Sequence, residues 1–169
     1  MRDKELYTQI LGIRSPWKVS EVELALEDGE VKVFVEQEAG AEQHCPKCGL
    51  ACPGYDRRRR SWRHLDTCQF RTILVADVPR IKCPDHGVVT VGVPWSEPGS
   101  GFTALFEALV IDWLKEASLA AVSRQLGLSW SAIDRIMQSA VQCGLEGRAE
   151  IQPMHTGVDE TYSASVMIT

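Results

Sequence analysis

Cys45-Pro46-Lys47-Cys48-Gly49 returns 38 positions later as Cys83-Pro84-Asp85-His86-Gly87, one Cys-Pro-x-(Cys/His)-Gly pattern written twice. Structural zinc takes four tetrahedral nitrogen or sulfur ligands, and a two-residue spacer lets one tight turn present two of them. Proline sets φ at the start of the turn. The glycine after it adopts φ > 0 and turns backbone N–H groups towards thiolate sulfur. Two such knuckles make a zinc ribbon with Cys45, Cys48, Cys83 and His86 as ligands. All four positions are then filled by protein, so the zinc is structural and not catalytic. Buried unliganded cysteines are the plain alternative, but they leave the paired proline and glycine without a reason. A rival set, Cys45, Cys48, His64 and Cys68, also has ligand-like spacing and leaves the second knuckle unexplained. Cys52 and Cys143 read as core or surface thiols.

The 34 residues between the knuckles carry Arg57, Arg58, Arg59, Arg60 and Arg63, with Trp62 and His64 among them. The chain has a net charge of −5, which on its own argues against a nucleic-acid partner. Its distribution reverses that reading. Residues 1–43 and 87–169 each carry −5, whereas residues 44–86 carry +5. Screening makes local charge govern phosphate contact. Arginine grips phosphate bidentately and stacks on bases. The segment is therefore expected to be a loop that contacts DNA, with Trp62 either stacking on a base or anchoring the loop. A solvated charge run is the bland alternative.

Outward from this unit, Val22, Leu24 and Leu26 alternate with Glu21, Glu23 and Ala25, and Val31, Val33 and Val35 with Lys32, Phe34 and Glu36, around Asp28-Gly29. That predicts a β-hairpin over 19–37 with a two-residue turn, after a short helix near Glu5–Leu11. Residues 70–82 alternate as a strand, and Pro79 suggests an edge or a strand end. Pro94, Pro98, Gly99, Ser100 and Gly101 read as a linker. Beyond it the period becomes 3.6, with Phe102, Leu105, Phe106, Leu109, Val110 and Trp113 on one helical face.

Residues 119–138 fit a helix-turn-helix: Val122 and Leu126 apolar, Ser123 small at the crossing, Gly127 in the turn, Ser129 as N-cap, and Ile133 and Ile136 inward. A plain three-helix bundle fits the same apolar positions. In the first arrangement the second helix enters the major groove. Base reading would then rest on Ser131, Arg135 and Gln138.

The fold class is α+β, with boundaries at 1–43 for the first helix and hairpin, 44–93 for the ribbon and basic loop, and 94–101 for a linker. The helix-turn-helix follows over 102–143, a second linker over 144–153, and a new strand over 154–169. No stretch approaches the roughly 20 apolar residues of a membrane span, and Met1–Glu5 lacks a signal peptide's apolar core. The chain reads as cytoplasmic, with no membrane partner.

The sequence from the first knuckle through Tyr55-Asp56-Arg57-Arg58, Ser61–Asp66, Val78–Gly87 and Val93-Pro94-Trp95 resembles bacterial insertion-sequence transposases of the ISL-three group. The resemblance covers residues 4–162. It implies a zinc ribbon and helix-turn-helix that bind the element's terminal inverted repeats in double-stranded DNA, as a homodimer or with intact transposase. It also implies a ribonuclease-H-like domain that cuts and joins DNA with an Asp-Asp-Glu triad and magnesium. Within Thr156-Gly157-Val158-Asp159-Glu160, Asp159 matches the first triad carboxylate. Magnesium wants oxygen ligands, and a two-metal site must bridge the attacking and leaving oxygens. The sequence stops at Thr169 without the second Asp and the Glu. The expectation is a truncated, catalytically inactive DNA-binding part. A free-standing transcription regulator is the alternative.

Overall fold

The computed structural model describes residues 3–146. Helix α1 (Asp3–Ile10) leads into β1 (Trp17–Ala25), β2 (Glu30–Gln37), β3 (Gly54–Arg63), β4 (Arg71–Cys83) and β5 (Gly87–Thr90). Helices α2 (Ala104–Glu116), α3 (Leu119–Leu126) and α4 (Trp130–Glu146) follow. The five strands form one sheet in the order β1-β2-β4-β3, with β5 also on β4. The β2–β4 pair is parallel and the rest are antiparallel. The expected α+β class holds.

The β1–β2 hairpin forms, and Val31, Val33 and Val35 bury their side chains as the alternation requires. Its turn differs from the expected two-residue one. Ala25 pairs with Glu30, so residues 26–29 make a longer loop, and Gly29 takes φ 64° at its end. Leu24, near the end of β1, and Leu26, in the loop, are exposed, and the register shifts at a bulge between Val19 and Glu21.

Strand β4 organises the domain. Pro79 lies in its interior, not at an end. On one side β4 pairs with β2 over Arg71–Ala76 and with β5 over Arg80–Cys83. Pro79 sits between the two, where Val91 N–H donates to its carbonyl at 3.0 Å. A missing N–H costs nothing in that gap. Burial along β4 also changes face there. Thr72, Leu74, Ala76 and Val78 are buried first, then Ile81 and Cys83. Leu74, Ala76 and Val78 join Tyr7 of α1, Trp17, Trp62 and Trp95 in one cluster. Ile81 and Cys83 pack with Cys45 and Cys52. One strand therefore joins the apolar core to the metal-ligand cluster.

The helical domain is built by its caps. Thr103 Oγ1 accepts from Phe106 N–H to start α2, and Ser118 accepts from Ala121 N–H to start α3. Gly127 ends α3 in the left-handed conformation at φ 63°, ψ 37°. Ser129 Oγ accepts from Ala132 N–H at 3.2 Å at the start of α4. Phe106, Val110, Val122, Leu128, Ile133 and Ile136 form the core. Leu105 and Trp113, expected on the buried face, are 53% and 41% exposed. They lie one ridge beyond the stripe that α3 and α4 cover.

The expected linker 94–101 has no regular element but is not a slack spacer. Trp95 is buried, edge-on to Trp17 at 5.0 Å and to Trp62 at 5.5 Å. The second expected linker begins inside α4, which runs to Glu146. Its remainder, the expected strand at 154–169 and Asp159 lie outside the described residues.

Candidate metal centre and nucleic-acid interface

The first knuckle is a tight hairpin, with Cys45 N–H donating to Leu50 O and Gly49 N–H to Cys45 O, both at 2.8 Å. Gly49 and Gly87 take φ 73° and 67°, the conformation that the Cys-Pro-x-(Cys/His)-Gly pattern demands of its glycine. β4 and β5 carry the second knuckle between Cys83 and Gly87. The ligand atoms of Cys45, Cys48, Cys83 and His86 all lie within 4.8 Å of one another. Cys48 Sγ–Cys83 Sγ and Cys45 Sγ–His86 Nδ1 are each 3.7 Å, and Cys83 Sγ–His86 Nδ1 is 3.5 Å. A tetrahedron with zinc–sulfur bonds of about 2.3 Å has edges of about 3.8 Å. The donor set and its spacing fit a structural zinc, with no position left for a substrate water.

Without a cation the thiols ionise unequally. The His86 hydrogen bond pulls Cys83 down to about 6. Cys48 is pushed up to about 11: the Leu50 backbone contact lowers it, but burial and the Cys45 and Cys83 thiols outweigh that. A divalent cation replaces this mutual repulsion with four attractive contacts. The rival set does not assemble. His64 Nδ1 lies 2.8 Å from Thr103 Oγ1, and Cys68 is exposed. Cys52 packs beside Cys45 and Cys83, its thiol donating to Leu50 O at 3.3 Å. Cys143 is exposed.

The arginine segment is edge strand β3, not a loop. Charge on both faces hides its alternation from a sequence reading. Arg57, Arg59 and Arg63 stand opposite Pro79, Asp77 and Ile73, whereas Arg58, Arg60 and Trp62 stand opposite Val78, Ala76 and Leu74. These residues do different jobs. Arg59 makes a bidentate pair with Asp77 at 3.0 and 2.9 Å. Arg63 pairs with Asp66, lies 5.1 Å from the Phe106 ring centre, and keeps only 12% of its side chain exposed. Arg60 donates to Ser100 O at 3.2 Å and stacks on Trp62. Trp62 is 1% exposed, so it anchors the sheet and is closed to base stacking.

Arg57 and Arg58 are exposed and carry no hydrogen bond or ion pair among the described residues. Their charges contribute only weakly to holding Asp77 and Asp56 below the usual carboxylate range, an effect led by Arg59 and Arg80. The Asp56–Arg80 pair, stacked on Tyr55, was not foreseen. Nor were His64, buried at 4% exposure, and its partner Thr103. The β3–β4 register brings Asp56 to Arg80, and the isolated Arg63–Phe102 bridge sets His64 beside Thr103.

On α4, Ser131, Arg135 and Gln138 are exposed as expected. Gln138 donates to Asp134 at 2.8 Å, and Arg135 Nε to Ser131 O at 3.2 Å. Arg135 is the one basic residue of α4, set against Asp134 and Glu146, so the helix carries no net positive charge. No described helix is long and apolar enough to cross a membrane.

Comparison with known proteins agrees with this geometry. Residues 41–86 match the zinc-finger of transposase IS204/IS1001/IS1096/IS1165. Residues 92–141 match the helix-turn-helix domain of transposase family ISL3. The transposases for insertion sequence element IS1557 from two Mycobacterium tuberculosis strains, CDC 1551 / Oshkosh and ATCC 25618 / H37Rv, are each 31% identical over 144 residues. That alignment covers 81% of this chain and 32% of each relative, so the chain spans about a third of their length. No solved structure matches. With both modules matched over the segments that hold the four metal ligands and the capped helices, the chain belongs to the ISL3 family of insertion-sequence transposases and carries its zinc-ribbon and helix-turn-helix domains.

Proposed function

We propose that this chain binds the terminal inverted repeats of an insertion-sequence element in double-stranded DNA. In this reading Cys45, Cys48, Cys83 and His86 hold a structural zinc that fixes the end of the β3–β4 pair where β3 begins and β4 finishes. Arg57 and Arg58 neutralise phosphates. Ser131, Arg135 and Gln138 of α4 read base edges in the major groove. The observation that carries it is the convergence of the four ligand atoms within 4.8 Å beside the strand that displays the two unpaired arginines.

Strand cleavage and joining, with magnesium, are assigned to the intact family enzyme. Asp159 is the residue of this sequence that would supply its first carboxylate. Pairing with a second copy or with intact transposase at the two element ends, in the cytoplasm, completes the reading. The test is binding of the zinc-loaded chain to a duplex taken from the DNA flanking its gene, against a scrambled duplex of equal composition. Preference for the flanking repeat is expected. Equal affinity for both would refute it.

A further inference from the structure

The ribbon and the helix-turn-helix match as separate domains, yet the backbone bonds them into one unit. Arg63, the last residue of β3, donates its N–H to Gly101 O at 2.9 Å, and its carbonyl accepts from Thr103 N–H at 3.0 Å. Ala104 N–H donates to Trp95 O at 2.9 Å. Beside this bridge, His64 Nδ1 meets Thr103 Oγ1 at 2.8 Å, the same hydroxyl that caps α2. Both residues are buried, at 4% and 2% exposure. Leu65 and Phe102 pack into the helical core from the sheet side. The strand that shows Arg57 and Arg58 therefore runs directly into the base of the helix-turn-helix.

We propose that His64 and Thr103 are positioning residues that hold the β3 phosphate surface and the α4 reading surface at one fixed phase along the duplex. The DNA target is then bipartite: a base-read block and a phosphate patch at a single spacing. A slack connection would let the two surfaces engage sub-sites over a range of separations, with the second gaining only the effective concentration that its tether allows. A fixed geometry removes that ordering cost and adds a torsional requirement. Half a helical turn, about 5 base pairs, puts the second patch on the far side of the duplex. This inference rests on the DNA-binding function proposed above.

The test uses the zinc-loaded full chain and a duplex that it enriches from a random-sequence library, mapped by hydroxyl-radical footprinting. Two protected patches are expected. Inserting about 5 base pairs between them should lower the salt slope of binding by about 1.8, the share of two phosphate contacts. Arg57→Ala/Arg58→Ala should then cause no further loss on the lengthened duplex. Thr103→Val should bind both duplexes equally, and Thr103→Ser, which keeps the hydroxyl, should restore the phase dependence. His64→Leu leaves the α2 cap intact, so it gives the same readout should Thr103→Val fail to fold. Equal binding of both duplexes by the native chain, or unchanged phase dependence in His64→Leu, would overturn the proposal. A single protected patch would overturn it while leaving DNA binding standing, whereas failure to enrich any duplex would overturn the proposed function with it.

Discussion

Removing Arg57 and Arg58 together is the sharpest perturbation of the interface, because these two guanidinium groups are exposed and engaged by no other described side chain. Each phosphate neutralised by a protein cation releases counterions and adds about 0.9 to the slope of log affinity against log salt. The Arg57→Ala/Arg58→Ala protein should therefore lose about 1.8 from that slope. Between roughly 50 and 200 mM salt, the native protein's advantage over it should shrink by about 12-fold. Fluorescence anisotropy of a labelled duplex over a salt series measures this directly. Arg59→Ala should leave the slope unchanged, since the bidentate Asp77 pair already cancels that charge. Asp77→Ala should raise the slope by about 0.9, because it releases Arg59 to a third phosphate. A double variant with the native slope, or an Arg59→Ala variant that loses as much, would refute the division of labour among the arginines.

Cys83→Ser should lose the bound zinc, about one per chain, and with it the fold of residues 44–86, read by metal analysis and circular dichroism. Burial lowers the pKa of His64 below 6.5, so its unfolded form binds the proton more readily. Its contribution to stability is then present above about pH 6.5 and lost as pH falls below that. Denaturant midpoints should drop more steeply with acid for the native chain than for His64→Leu. Gly127→Ala places a Cβ at φ 63° and should destabilise the helical domain by about 1–2 kcal/mol in thermal melts.

The metal centre and the helix boundaries were legible because their signals are local. The pattern at Cys45 and Cys83 states its own turn geometry, and Ser129 and Gly127 mark helix ends by capping. What the sequence hid was pairing. Nothing along the chain says that Arg59 meets Asp77 or Arg80 meets Asp56, since those contacts exist only in the β3–β4 register. Charge on both faces of β3 made a strand look like a loop. The turn at Gly29 and the interior Pro79 were misplaced for a related reason. A bulge and a change of partner strand alter what each local residue must satisfy. Pro98-Gly99-Ser100-Gly101 has the composition of a linker, but the buried Trp95 next to it decides the connection.

The central claim is that zinc orders a DNA-binding surface. The most direct measurement is affinity for the repeat-bearing duplex before chelation, after it, and after zinc is restored. Loss of sequence-preferring binding on chelation and its return with about one equivalent of zinc is the predicted result. Binding of equal strength and preference in the metal-free chain would contradict it.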